Sequence, residues 1–227
     1  MGKLIAQMVI RNEADRYLEE VLQRLTSQVD EIIITDDYSD DDSFKIAQDF
    51  TDKLQRMPEP TFVKNEGVLR QTAWDFMSQF ATDGDWILAI DADEKFYPGP
   101  DLRIMMEQTN YHVLGIQFFH MWNRTHYRVD KAWAPNISSR LFRWKAGGDF
   151  SKKRLASGSE PSYVLQDIRQ GRFNPRTGWR MQHLGYMRDD DKQAKYDRYM
   201  ELDKGDFHSL NHLKSIIDTN PKLEPWT

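Results

Sequence analysis

The stretch that most constrains this chain is Trp86-Ile87-Leu88-Ala89-Ile90, which closes on Asp91-Ala92-Asp93-Glu94. An unbroken apolar row reads as a strand covered on both faces, as in a sheet with helices on either side. Open α/β sheets gather their ligands outside the carboxyl ends of such strands. If the chain stays extended, Asp91 and Asp93 point the same way, and two carboxylates can share one hard cation and the phosphates it carries. Taken alone, the three acids could equally form a solvated turn.

The preceding residues repeat the pattern. Residues 4–10 form a first apolar strand, broken by Arg11-Asn12-Glu13-Ala14-Asp15. Tyr17, Leu18, Val21, Leu22 and Leu25 then fall on one face of a helix, with Asp15 placed to cap it. Glu31-Ile32-Ile33-Ile34-Thr35-Asp36-Asp37 is a second strand ending in paired acids. Strand, helix and strand in so short a span make a βαβ unit with a parallel pair. A helix over 42–50, capped by Ser39 or Asp40, a brief strand at Thr61-Phe62-Val63 and a helix carrying Leu69, Ala73, Phe76, Met77 and Phe80 complete a doubly wound α/β half.

Beyond residue 100 the pattern loosens. Strands are expected at 113–120, 139–144 and 179–186, loops over 145–178, and helices at 189–202 and 208–217. Between the first two of these strands, residues 122–133 alternate aromatic and basic side chains. They read either as an acceptor wall, with Trp faces stacking on rings and Arg pairing with phosphates, or as core.

At 227 residues the chain is long enough to bury a core as one domain, and with no cysteine a reducing compartment is the natural expectation. The amino-terminal apolar run is too short for a signal peptide or membrane span, so a soluble, cytoplasmic protein is expected. The net charge of -5 hides an asymmetry. Residues 1–120 hold 11 Lys and Arg against 23 Asp and Glu, whereas residues 121–188 hold 14 against 4. A basic middle suggests a bound anion, or pairing between the two halves.

In parallel strands, Glu13, the Asp36-Asp37 pair and Asp91, Asp93 and Glu94 would meet along one sheet edge. Like charges gathered there repel unless a cation or a donor-rich ligand lies among them. The chain lacks both Gly-x-Gly-x-x-Gly and Gly-x-x-x-x-Gly-Lys, which removes the usual dinucleotide and P-loop readings. No Gly-x-Ser-x-Gly is present to suggest a serine nucleophile.

These motifs resemble those of family 2 glycosyltransferases of the GT-A fold, of bacterial or phage type. The resemblance rests on Met8-Val9-Ile10-Arg11-Asn12-Glu13, on Val29 through Asp41, on Asn65-Glu66-Gly67 with Arg70, and on Asp85 through Glu94. Arg140-Leu141-Phe142-Arg143, His183-Leu184-Gly185-Tyr186 and Lys195-Tyr196-Asp197-Arg198-Tyr199 match more loosely. The resemblance implies a GT-A-like, doubly wound, mostly parallel sheet with a mixed C-terminal half. Residues 1–96 would bind the nucleotide sugar, 97–188 would face the acceptor and 189–227 would add helices, all in one domain.

It further implies a metal-dependent, inverting transfer from a nucleoside-diphosphate sugar, a UDP-sugar favoured, to a glycan, glycolipid or protein hydroxyl, with nucleic acid disfavoured. Arg11, Asn12, Glu13, Asp36, Asp37, Arg70, Asp91 and Ala92 would contact the nucleotide sugar, with Asp37 at the base. Asp93, Asp91 and His183 would hold Mn²⁺ or Mg²⁺. Where relatives often place His-Glu, this chain has Arg154-Leu155-Ala156-Ser157-Gly158-Ser159-Glu160-Pro161, so Glu160 is the first candidate base, with Asp149 and Asp167 behind it. A catalytically inactive sugar-nucleotide or glycan-binding module and a sugar nucleotidyltransferase are the alternatives.

Overall fold

A computed structural model describes residues 2–151, 158–202 and 208–227. Alternation along the early strands builds a core on each face of one sheet. In β1 (Leu4–Ile10), Leu4, Ala6, Met8 and Ile10 face one side and Ile5 the other; β2 (Glu31–Asp36) divides Ile32 and Ile34 from Ile33 in the same way. The first side is covered by α1 (Leu18–Leu25), through Leu18, Val21, Leu22 and Leu25, and by α2 (Ser43–Gln48) through Ala47. After β3 (Leu54–Arg56), α3 (Phe62–Met77) covers the second side with Trp74 and Met77.

The chain continues through β4 (Trp86–Ala89), β5 (Glu94–Tyr97), α4 (Leu102–Gln108), β6 (Val113–His120), β7 (His126–Arg128), a 3₁₀ turn at Lys131–Trp133 and β8 (Asn136–Arg143). It closes with α5 (Ser162–Arg169), β9 (Phe173–Asn174), β10 (Arg180–His183), α6 (Asp189–Leu202), α7 (Leu210–Ser215) and β11 (Leu223–Pro225). The large sheet has the order β3-β2-β1-β4-β8-β6-β10-β5, with β9 beside β6. β3, β2, β1 and β4 run parallel; β8 is antiparallel to both β4 and β6, and β5 is antiparallel to β10. The expected α/β class, with a parallel first half and a mixed second half, is the fold observed. No helix among the described residues is long and apolar enough to cross a membrane.

Several local expectations give way to tertiary contacts. Thr61-Phe62-Val63 opens α3 instead of forming a strand, because the backbone N–H groups of Thr61 and Phe62 donate to the buried carboxylate of Asp37 at 2.7 and 3.0 Å. The edge strand is Leu54–Arg56, paired to β2. The expected loop region 145–178 contains α5 and β9, with Val164 of α5 fully buried. Asp15 makes no cap for α1, and Ser39 turns back to Asp36 while Asp41 accepts from the Ser43 N–H at the start of α2. The stretch from Arg154 to Ser157 lies outside the described residues.

The aromatic and basic stretch is mostly interior. Trp122 and Trp133 are buried with Tyr186, Leu213 and Ile216. Arg128, fully buried, lies over both indole rings at 4.6 and 5.2 Å and pairs with Asp130 and Asp218. A charge so placed needs both its carboxylate partners and its aromatic faces. Arg128 is thus spent inside the fold, whereas Arg124, Arg169, Arg172, Arg176 and Arg188 of the same basic stretch are exposed.

Candidate functional site

The parallel strands β1, β2 and β4 end on the same side of the sheet, and the loops that follow them surround a cavity of about 670 Å³. That is the size of cleft that encloses a small-molecule ligand or cofactor. Arg11, Asn12, Glu13, Asp37, Arg70, Asp91, Ala92, Asp93 and His183 all line it. Asp36 lies behind the wall, and Asp149, Glu160 and Asp167 are not among the lining residues.

At the β1 end, Asn12 adopts a left-handed backbone, φ 54°, which Asn tolerates better than most residues. Its N–H donates to the Ser39 hydroxyl and its side-chain oxygen accepts from the Asp40 N–H, both at 3.0 Å. Asn12 thus braces the β1 loop against the β2 loop. Glu13 accepts from Arg16 through both oxygens, at 2.9 and 3.0 Å.

At the β2 end, both acids are fully buried and served by fixed donors. Asp36 takes the Ser39 N–H and hydroxyl, and Arg56 lies 3.3 Å away. Asp37 takes the two N–H groups at the start of α3, and Arg11 approaches to 3.7 Å.

At the β4 end the chain does not stay extended. The Glu94 N–H donates to the Asp91 carbonyl at 3.0 Å and the Asp91 N–H to a Glu94 carboxylate oxygen at 2.9 Å, which folds Asp91 through Glu94 into a turn. Asp91 and Asp93 therefore meet different cations. Arg140 reaches Asp91 at 3.0 Å and Glu94 at 2.8 Å, with Arg70 at 3.8 Å from Asp91. Asp93 faces His183 Nε2 at 3.3 Å and Lys195 Nζ at 3.1 Å.

The electrostatics follow from these pairings. Burial alone would raise Asp91 and Asp93. Arg140 and Arg70 instead hold Asp91 below the ordinary carboxylate value, and Lys195 and His183 hold Asp93 well below it. Burial, against the pull of Arg140, and the neighbouring Asp91 push Glu94 up to about 8. Burial, helped by His183 and Lys195, keeps His120 far below the usual imidazole value, so it stays neutral. His120 lines the same cavity, with its Nδ1 3.0 Å from Nδ1 of His183. When His183 donates Nδ1–H to His120, its Nε2 keeps a lone pair directed at the Asp93 side.

Asp93 and His183 thus form a carboxylate and imidazole pair that fits a borderline divalent ion. Among the described residues no group of three or more His, Cys, Asp or Glu side chains converges in a metal-binding arrangement. The pair fits an ion that is also held by an anionic ligand, not one enclosed by protein alone.

Glu160 accepts from the Ser139 hydroxyl at 3.1 Å, one residue beyond Ser159 in the cavity wall. Asp167 is buried among Lys145, Arg172 and His112. Asp149 accepts from the Ser151 N–H at 2.8 Å. Glu66, from the Asn65-Glu66-Gly67 motif, also lines the cavity, as do Arg16 and His120, which had no sequence signal of their own.

A family model described as glycosyl transferase family 2 matches residues 7–197. No curated protein matches the chain. Among solved structures, S. aureus TarS 1-349 in complex with UDP aligns with 95% of this chain and 69% of its own, at 15% identity and a TM-score of 0.54. The mannosyltransferase PcManGT from Pyrobaculum calidifontis, in complex with GDP-Man and Mn²⁺, aligns with 98% of this chain and 66% of its own, at 13% identity and a TM-score of 0.54. Against a longer S. aureus TarS chain this one spans 42% of the length, at 14% identity and a TM-score of 0.52. At such identities the likeness is one of fold.

Proposed function

The chain belongs to glycosyl transferase family 2, and from that premise we propose that it transfers a sugar from a nucleoside-diphosphate donor, a UDP-sugar favoured, to a hydroxyl of a glycan, glycolipid or protein. The observation that carries this reading is the convergence of Glu13, Asp37, Asp91 and Asp93 with Arg11, Arg70, Arg140 and Lys195 around one cavity at the strand ends. Acids there can accept from base N–H and ribose hydroxyl groups, and the cations can turn toward phosphate oxygens. TarS and PcManGT were crystallised with UDP and with GDP-Man, ligands of the same class.

Within this reading Asp37 retains acceptor capacity for a base N–H, since each carboxylate oxygen has two lone pairs and one backbone donor. Arg70 and Arg140 orient Asp91 toward the ribose side. Asp93 and His183 would hold Mn²⁺ or Mg²⁺, whose chemistry is to stabilise charge on the leaving diphosphate. Glu160, beside the cavity wall, takes the proton of the acceptor hydroxyl as its oxygen bonds to the anomeric carbon. The bond from that carbon to the diphosphate oxygen breaks, its electron pair leaving with the diphosphate, and the anomeric configuration inverts. Residues 1–96 then serve the donor, 97–188 face the acceptor while lending Arg140 and His183 to the donor side, and 189–227 supply Lys195, all within a single domain.

The test is calorimetry and transfer assay with UDP-, GDP- and TDP-sugars, with and without MnCl₂. Binding of a nucleoside-diphosphate sugar followed by release of the free nucleotide is the expected result. Pyrophosphate release from a nucleoside triphosphate, or binding with no turnover on any acceptor class, would replace the reading with a nucleotidyltransferase or an inactive module.

A further inference from the structure

Lys195 takes no part in the bond-making and bond-breaking just described, where it is only one of the cations of the cavity wall. It projects from α6 into the cavity, where its ammonium lies 3.1 Å from Asp93 Oδ2 and 3.4 Å from His183 Nε2. A third side is closed by the Tyr186 ring, 4.5 Å from Nζ to the centroid. A carboxylate oxygen, an imidazole nitrogen and an aromatic face together make a binding site for a cation. Only 12% of the lysine side chain is exposed, so water does little to satisfy its charge.

The surroundings are shaped to admit it. A Cβ on Gly185 would fall 2.1 Å from both Asp93 Oδ2 and Lys195 Nζ, so a larger residue there would displace this pair. α6 is tied down near its start, by Arg16 to Asp191 at 3.2 Å and by Arg188 to the Asp15 carbonyl at 2.9 Å. Lys195 therefore reaches Asp93 from a helix fixed at its base.

With Nδ1–H donated to His120, His183 keeps a lone pair on Nε2 that can accept from an ammonium or be given to a metal ion, but not both at once. We propose that Lys195 is the resident cation of the Asp93–His183 site and competes there with Mn²⁺ or Mg²⁺. A diphosphate in the cavity opens the site by offering the ammonium a new anionic partner. This rests on the reading of the cavity as a nucleoside-diphosphate site. It adds an order of events: the ion binds weakly to the nucleotide-free protein and tightly once the nucleotide has drawn Lys195 away. By linkage, the ion tightens nucleotide binding by the same factor.

The experiment uses the full 227-residue chain and follows MnCl₂ binding by calorimetry and by the electron paramagnetic resonance signal of free Mn²⁺, first alone and then with saturating UDP. Wild type is compared with Lys195→Met and Lys195→Gln, each checked for folding by circular dichroism and urea midpoint. The expected result is at least about a tenfold gain in Mn²⁺ affinity for both variants without UDP, the size of effect typical of coupled sites. In wild type UDP should raise Mn²⁺ affinity about tenfold or more, and in the variants by clearly less. Equal Mn²⁺ affinity in folded wild type and variants without UDP would overturn the proposal. So would an unchanged UDP effect in the variants. Failure of UDP to bind wild type under any condition would instead remove the nucleotide reading, and the metal-only comparison would still decide whether Lys195 and the ion compete.

Discussion

The ends of β2 and β4 carry the same signature in sequence, paired acids after an apolar strand, yet the fold answers them differently. Asp36 and Asp37 are satisfied largely by the Ser39 and α3 backbone, whose N–H groups cannot leave without unmaking local structure. Asp91 and Asp93 are satisfied by the side chains of Arg140, Arg70, Lys195 and His183, which can exchange one partner for another. The β2 end is thus a fixed wall of the cavity, and the β4 end is the part able to trade its counter-ions for a ligand.

The strongest way to break this comparison is Asp93→Asn. It keeps the shape and removes the charge, so sugar transfer should fall by about a thousandfold or more, the scale of several kcal/mol of lost charge stabilisation. Retained activity in the assay would show that the β4 acids are as structural as those of β2. Next in size is Arg140→Met, which leaves Asp91 and Glu94 buried without their main partner; urea unfolding should show a loss of about 3 kcal/mol. Asp36→Asn should cost about 2 kcal/mol by the same measurement, through the Ser39 contacts it weakens. A stability change near zero there would mean that the β2 acids too can shed their partners.

The smallest effect is in pH. Asp167 is held below its ordinary value by Lys145, His112 and Arg172, against the rise that burial would cause. A carboxylate depressed in the folded state adds stability that is present above the unfolded value, near 3.8, and lost as pH falls through the folded one. Asp167→Asn should therefore flatten the acid limb of urea midpoints below about pH 4, by about 1 kcal/mol or less. It should leave nucleotide binding unchanged.

The first half of the fold could be read from sequence because its strands are long apolar rows buried on both faces. β3 escaped because Leu54-Gln55-Arg56 is a short, polar edge strand, and Thr61-Phe62-Val63 misled because its β-branched residues favour a strand locally. Two N–H groups claimed by Asp37 overrode that preference. α5 was hidden among Gly, Ser and Pro, though its Val164 packs into the core. The cavity lining from β1, β2 and β4 was legible because strand ends carry it. A turn at Asp91–Glu94 was one of two readings, but as a solvated one; that Asp93 and Glu94 are buried in it was not legible, since this depends on side chains that folding brings from elsewhere. Nor was the pairing of Asp93 with Lys195, which folding brings together from 102 residues apart.

A crystal of the full chain grown with UDP and MnCl₂, with anomalous data collected at the manganese edge, tests the central claim most directly. The expected result is a peak in bonding contact with an Asp93 oxygen and His183 Nε2, with Lys195 turned onto a phosphate oxygen. A peak elsewhere, or UDP bound in the cavity with Lys195 still resting on Asp93 and His183, would contradict it.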